Sequence, residues 1–300
     1  MPHSTLDSTR QWTLRQPFTL TGVGLHSGEP VNVRVLPAPP NHGLAFSRVD
    51  LPGKPRVPAL AEYVSDVTLS TTVARGRASV RTIEHMLAAL AGMGVSNALI
   101  AVDGPEIPAM DGSALAFTRA IVEAGRVALP AERAVISIPE HYELDMGDRS
   151  LLCQPREEAV VTYVVDYGHP LAGVQCWEGL INPAAFRREL APARTFCLRA
   201  DAERMRAAGM ARGGSFDNAV VVMEDGYSST LRFDDEFVRH KVLDLIGDLA
   251  LAGADWRGQV VAVKAGHPLH VQLATRLRQY VLALEKQRSV VRTKIAAYAS

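Results

Sequence analysis

The polar positions of one apolar stretch fall on a single side at the helical period. In "FVRHKVLDLIGDLALAG", Phe237–Gly253, a step of about 100° per residue gathers His240, Lys241, Asp244 and Asp248 into one quadrant. Val238, Val242, Leu245, Ile246 and Leu249 gather opposite. The spacing predicts an amphipathic helix with an unusual polar stripe. A solvated face favours Glu, Lys and Gln for their helix propensity. His and Asp one turn apart match metal-ligand spacing, and equally an ordinary i,i+4 ion pair.

The same pattern of elements occurs twice. "AALAGMGVSNALIAVDG" (Ala88–Gly104) aligns without gaps to "LALAGADWRGQVVAVKA" (Leu249–Ala265), an offset of 161 residues. Each predicts a helix end, a Gly stop, a short loop and a buried β-branched strand. An amphipathic helix follows in both, at Ala114–Val127 and at Leu269–Gln287. Strands of antiparallel character precede each helix pair, at Val31–Pro37 and Ala159–Tyr167. The chain therefore reads as a duplicated α+β protein. The expected domains are 1–128 and 129–300, with a seam near "ALPAERA" (Ala128–Ala134), where Pro130 interrupts and the strand-like "AVISI" begins. The second half carries a surplus, Arg194–Val222, expected to hold a helical piece ending at Gly213–Gly214.

The offset places His85 opposite Ile246, level with the His240–Asp248 stripe. Thr82 is the expected N-cap of the first-half helix, which puts Glu84 and His85 in its first turn. If the halves face each other, His85, His240 and Asp244 leave a fourth tetrahedral position open, as catalytic zinc requires, and a nearby Glu is the usual base for a metal-bound water. A Glu-His pair at a helix start is also an ordinary capping or surface feature. No linear zinc motif decides between them: "HExxH" is absent and "HxxEH" fails at Arg81. In "KAGHPLH" (Lys264–His270), Gly266 and Pro268 mark a tight turn, with His267 expected at a strand end as general acid, ligand or surface residue. His26, in "GVGLHSG" (Gly22–Gly28), reads as part of a turn between strands. Ser27 stands where a dinucleotide fingerprint needs Gly.

Composition narrows the setting. The chain has 300 residues, 47% hydrophobic, enough for real cores. Lys+Arg and Asp+Glu both number 32, which argues against nucleic-acid binding by bulk charge. No apolar run reaches membrane-spanning length, and the polar start, "MPHSTLDSTRQW", has no signal core. Cys153, Cys176 and Cys197 form no CxxC pair. A reduced, cytoplasmic setting and a monomer are expected.

Taken together, "TGVGLHSG", "TIEHMLAALAGMGVSN", "PEIPAMDGSA", "ARTF", "GGSFDNAVVV", "EFVRHKVLDLIGDL" and Gly266–His267 resemble the UDP-3-O-acyl-N-acetylglucosamine deacetylases, zinc amidases of lipid A biosynthesis. The runs occur in the family's order over nearly the whole chain. The resemblance implies two β-α-α-β domains with helices sandwiched between two antiparallel sheets and an insert in each domain. It implies one zinc ion, with iron as an alternative, on His85, His240 and Asp244. Glu84 becomes the general base, His267 the second catalytic group and Asp248 its partner. Lys241 lies by the developing charge, Thr195 is the oxyanion donor, and Phe196 lines the site. Residues 195–222 match the acyl-chain passage, with Phe216 and Val221 at wall positions and Met205 and Met210 as additions. "LSTT" (Leu69–Thr72) matches the first-half insert flanking the metal. Lys241 and Lys264 are expected anion contacts, and Asp166–Pro170 approaches the nucleotide. Two departures stand out: Cys197 follows "RTF" where Gly is common, and "HPLH" replaces the frequent "HxLN", leaving His270 without a role. The implied substrate is UDP-3-O-acyl-N-acetylglucosamine. The rivals are an amidase for another N-acyl sugar nucleotide, favoured less by the apolar insert, and a binding protein without turnover, disfavoured by the intact ligand set.

Overall fold

The computed structural model describes residues 10–298, with side chains through Lys286; part of the polar start, residues 1–9, lies outside the described residues. Two sheets share one plan. The first lines up Phe18–Val23, Pro30–Pro37, Ala98–Val102, Leu44–Arg48 and Arg56–Pro58 in spatial order. The second lines up Tyr142–Asp145, Ser150–Gln154, Asp255–Val263, Ala159–Asp166 and Val174–Leu180, with Val135–Ser137 added alongside Asp255–Arg257. Neighbours pair antiparallel, antiparallel, parallel and antiparallel in both.

The parallel junction is where the sheets differ from the antiparallel expectation. The central strand follows a helix, and a helical crossover returns the chain pointing the same way as the strand it left. In each half that helix is thus part of a β-α-β unit, pressed onto its sheet.

The helices are α1 (Glu84–Gly92), α2 (Leu115–Ala124), α3 (Pro183–Ala185, running on as a π turn through Leu190), α4 (Arg199–Ala207), α5 (Glu236–Leu249) and α6 (His267–Tyr298). α1 packs on α5 between the sheets. A single apolar core joins Val33, Phe46 and Ile100 of the first sheet to Met86, Leu87 and Leu90 of α1. It continues through Leu245 and Leu249 of α5 to Val161, Tyr163 and Val260 of the second sheet. The polar stripe of α5 is not a solvated face: His240, Asp244 and Asp248 are at most 2% exposed.

Several local expectations are corrected. Thr82 does not cap α1. Its backbone has φ 57°, and its hydroxyl donates to Glu106 at 2.9 Å instead. Arg126–Glu132, including Pro130, is a strand paired with Arg10–Leu14 rather than an interruption. A two-stranded ribbon leaves its outer edge free, so a Pro there need not cost a ladder bond. His267 does not end a strand. That strand stops at Val263, and His267 is the first residue of α6. In the surplus segment the helix, α4, ends at Ala207. Phe196–Leu198 and Val220–Val222 flank it and pair parallel. Among the described residues, no helix is long and apolar enough to cross a membrane.

One glycine sets the α1–α5 approach. A Cβ on Gly247 would lie 2.1 Å from the Glu84 carbonyl oxygen, so only glycine lets α5 touch the first turn of α1. Gly247→Ala should force the helices apart, destabilising the fold by roughly 1–3 kcal/mol, as overpacking typically does. Denaturant unfolding measures this, and an unchanged midpoint would mean that the helices give way freely.

Candidate active site

The contact at Gly247 delivers the start of α1 to the polar stripe of α5. His85 Nε2 and His240 Nε2 lie 3.6 and 3.4 Å from Asp244 Oδ1. The two rings meet edge to face, centroids 4.9 Å apart. All three side chains are buried, and their ligating atoms lie within 4.8 Å of one another. His240 Nδ1 lies 3.1 Å from the Ala193 carbonyl. A carbonyl only accepts, so Nδ1 carries the hydrogen and Nε2 presents its lone pair to the cluster. Burial lowers the His240 pKa to about 3, with Asp244 opposing only in part, so the ring is neutral.

Asp244 Oδ1 is buried with no hydrogen-bond partner among the described residues. Its other oxygen accepts from Lys241 Nζ at 2.7 Å. A buried carboxylate oxygen left bare is costly. Donor atoms bound 2.0–2.1 Å from a tetrahedral centre lie about 3.4 Å apart, close to the spacings here. The donor set and the orphaned oxygen therefore fit a zinc-like cation.

Beside this group lies a second buried network. Glu84 Oε2 accepts from the Thr71 backbone N–H at 3.0 Å. Burial raises the Glu84 pKa, outweighing the nearby His267 and His85. The Thr71 hydroxyl donates to Asp248 Oδ1 at 2.6 Å. Asp248 Oδ2 faces His267 Nδ1 at 2.7 Å and His270 Nδ1 at 3.0 Å. Burial alone would lower the His267 pKa, but the charge and hydrogen bond of Asp248 push it up to about 9. Burial likewise works against the Asp248 charge, and His267 outweighs it, holding that pKa below the ordinary value. His270, also wholly buried, has its pKa lowered, chiefly by burial. Asp248, His267 and His270 also have metal-ligand proximity, but here the Asp248 oxygens face a hydroxyl and two imidazole nitrogens.

The remaining candidates fall around or away from this centre. Phe196 stacks near His240, Phe237 and Tyr167, and Lys241 Nζ lies 6.0 Å from its ring centre. Burial disfavours the Lys241 charge, yet Asp244 outweighs it and raises the pKa. Thr195 is set by backbone bonds, donating to Gly112 at 2.7 Å and accepting from Val220 at 2.9 Å. Val221 is buried, Met205 and Met210 are half-buried, and Phe216 is 58% exposed, so the four do not form one packed wall. Lys264 lies apart, pairing with Asp166 at 3.3 Å. Two clefts lined by Arg133, Ala250 and Asp255 open at the other ends of α1 and α5, away from the cluster.

Four residues escaped the sequence reading: Thr71, Glu106, Tyr163 and His270. Thr71 lay inside the "LSTT" run. The His267–His270 spacing is one helical turn, a signal only once His267 is known to start α6. Buried Glu106 accepts from the His26 and Ser27 amides and from Thr82, bracing the His26 turn against the segment that enters α1.

The pattern of UDP-3-O-acyl N-acetylglycosamine deacetylases matches residues 11–279. A UDP-3-O-acyl-N-acetylglucosamine deacetylase of Anaeromyxobacter sp. (strain Fw109-5) is 47% identical over 269 residues, covering 89% of this chain and 88% of that one. Similar enzymes of the same name from Trichormus variabilis and Leptospira biflexa serovar Patoc (strain Patoc 1 / Ames) are 44% and 40% identical. The first covers 89% of this chain and 98% of its own length, the second 91% of each.

The Asp248–His267 pair generates a prediction independent of turnover. An NMR titration of His267 should give a midpoint near 9, and Asp248→Asn should lower it, since burial is then opposed only by the charges of Glu84 and Asp244. Because the folded value lies above the ordinary 6.5, the pair stabilises the fold fully below about 6.5. That stability is lost as pH rises through about 9. An unmoved midpoint in Asp248→Asn would break the pairing.

Proposed function

The chain belongs to the UDP-3-O-acyl N-acetylglycosamine deacetylase family, and we propose that it hydrolyses the N-acetyl group of UDP-3-O-acyl-N-acetylglucosamine, releasing acetate and a free amine, in lipid A biosynthesis. The observation that carries this reading is a buried carboxyl group and a buried, carboxylate-paired imidazole beside a candidate ligand set. Glu84 stands on one side of His85, His240 and Asp244, and a proton-holding His267 stands within the same network.

His85, His240 and Asp244 would hold zinc, or iron in its place. When bound, that ion would supply a Lewis acid for the amide carbonyl and for water. Glu84 takes the proton from the attacking water. Its raised pKa makes it a better base than an exposed carboxylate, and the Thr71 N–H fixes one oxygen so that the other is aimed. Breaking the carbon–nitrogen bond requires a protonated nitrogen, because an amide anion is far too basic a leaving group. His267 enters the cycle already protonated, with Nδ1 turned to Asp248, so Nε2–H is the donor to that nitrogen. Glu84 and His267, a carboxyl group and a carboxylate-paired imidazole held in separate surroundings, divide the base and acid roles. Thr195 and the Lys241 ammonium are assigned to the developing oxyanion. Phe196, Val221, Met205, Met210 and Phe216 are assigned to the acyl chain, and Lys264 with Asp166–Pro170 to the nucleotide. The unpaired cysteines support a reducing, cytoplasmic setting.

Incubation with UDP-3-O-acyl-N-acetylglucosamine should show loss of one acetyl group by mass spectrometry; an unchanged mass with metal-loaded protein rejects the proposal. His240→Ala should lose stoichiometric metal by elemental analysis. Glu84→Gln should keep the metal and lose about 10²–10⁴-fold in kcat. Substrate lacking the acyl chain should fall steeply in kcat/KM, since each buried CH₂ contributes about 0.8 kcal/mol. Equal efficiency on UDP-N-acetylglucosamine would remove residues 195–222 from the substrate site.

A further inference from the structure

Asp248 is wholly buried, and neither of its oxygens is spare: Thr71 donates to Oδ1, and two imidazoles face Oδ2. His267 and His270 lie one turn apart on α6, ring centres 6.0 Å apart. We propose that His270 is a positioning residue: it donates its Nδ1–H to the Asp248 oxygen that faces His267, and so limits how tightly Asp248 holds the His267 proton. This rests on the reading of His267 as the proton donor.

Three observations carry it. His270 Nδ1 lies 3.0 Å from a carboxylate oxygen with no exposure to water. A bare nitrogen there would set two lone pairs against each other, so Nδ1 carries the hydrogen. A second donor on Oδ2 stabilises the carboxylate by itself and weakens its claim on the first. The ring is also gripped at its far end. With Nδ1 carrying the hydrogen, Nε2 accepts: the Tyr163 hydroxyl shares its one hydrogen between the Ala265 carbonyl at 2.5 Å and His270 Nε2 at 3.0 Å. Ala265 opens the turn that presents His267, so one tyrosine ties the His270 ring to that turn. The groups facing the pair are Asp248 and Asp244 of α5, Glu84 of α1, Tyr163 of the second sheet, and the Thr71 hydroxyl.

The sign of the effect separates this role from simple packing. Removing the second donor should make Asp248 a stronger acceptor and raise the His267 midpoint, whereas loosening the Asp248–His267 contact would lower it. The full chain enriched in ¹⁵N-histidine should show a hydrogen on His270 Nδ1. In His270→Leu, the His267 midpoint by NMR should rise on the order of one pH unit, and the basic limb of kcat/KM should rise with it. His270→Asn keeps an N–H donor and should stay near the unaltered protein. A bare Nδ1, a midpoint that stays or falls in His270→Leu, or equal shifts in the Leu and Asn variants would overturn the proposal. If His270→Leu does not fold, the Nδ1 signal and the Asn variant still decide. The midpoint is read without turnover. Should His267→Ala keep the basic limb of the unaltered protein, the proton-donor reading fails while the His270 result stands by itself.

Discussion

The close approach of α1 and α5 at Gly247 is the constraint on which the site depends. Glu84 and His85 belong to one half of the chain, and His240, Asp244 and Asp248 to the other. No local motif could bring them within ligand distance. Two similar sheets, each covered by its own crossover helix, bury those helices only against each other. The absence of a side chain at residue 247 lets the first turn of α1 reach the middle of α5. The geometry of the candidate ligands is thus a product of helix packing, and a change of backbone spacing there would act on all of them together.

Placing that contact between two sheets has an electrostatic consequence. Glu84, Asp244 and Asp248 are buried carboxylates, and each meets the burial penalty differently. Asp244 is offset by Lys241 and by the imidazoles at its side, Asp248 by His267, His270 and Thr71. Glu84 has only the Thr71 amide and more distant charges, and its proton affinity rises. Burial lowers the pKa of both His240 and His267, and only at His267 is it overcome, by the Asp248 carboxylate at 2.7 Å. One low-dielectric layer therefore yields a metal-ready imidazole, a basic carboxylate and an acidic imidazolium, separated by partners rather than by residue type.

Much of this was legible in the sequence, and the rest was hidden for identifiable reasons. The α5 stripe announced itself because His and Asp are poor choices for a solvated helix face. The duplication showed because Ala88–Gly104 and Leu249–Ala265 keep the same apolar order. Strand direction was not legible: Ala159–Asp166 alternates as an antiparallel strand would, yet its parallel neighbour comes from nearly a hundred residues later in the chain. Thr82 has the residue type of a cap, but Glu106 claims its hydroxyl. A β-branched residue at positive φ cannot be foreseen from local preference. His270 was obscured by the misplaced start of α6. With His267 at a strand end and the helix starting at Leu269, the two histidines belonged to different elements. On one helix they share a face.

Two first-half motifs with no chemistry of their own then find a physical use. The turn at "GVGLHSG" accepts backbone bonds from Arg212 and Gly213, and "AMDGSA" supplies the Gly112 carbonyl that fixes Thr195. Both contacts are glycine-dependent. A Cβ on Gly213 would lie 2.2 Å from the Gly24 carbonyl oxygen, and one on Gly112 would lie 2.0 Å from that of Asn218. Arg232 reaches back to Asp111 at 2.8 Å, closing the same boundary. The surplus segment of the second half is therefore held by the first half at its beginning, through Thr195, and near its end, through Arg212–Gly213 and Asn218. α4 between them buries no residue. Its own helix has little to anchor it, so the position of the segment comes from these cross-half backbone contacts. Glu106 links that anchorage to the chemistry: the carboxylate that holds the His26 turn also holds Thr82, two residues before Glu84. The turn that holds the segment and the residue that leads into α1 thereby share one buried brace.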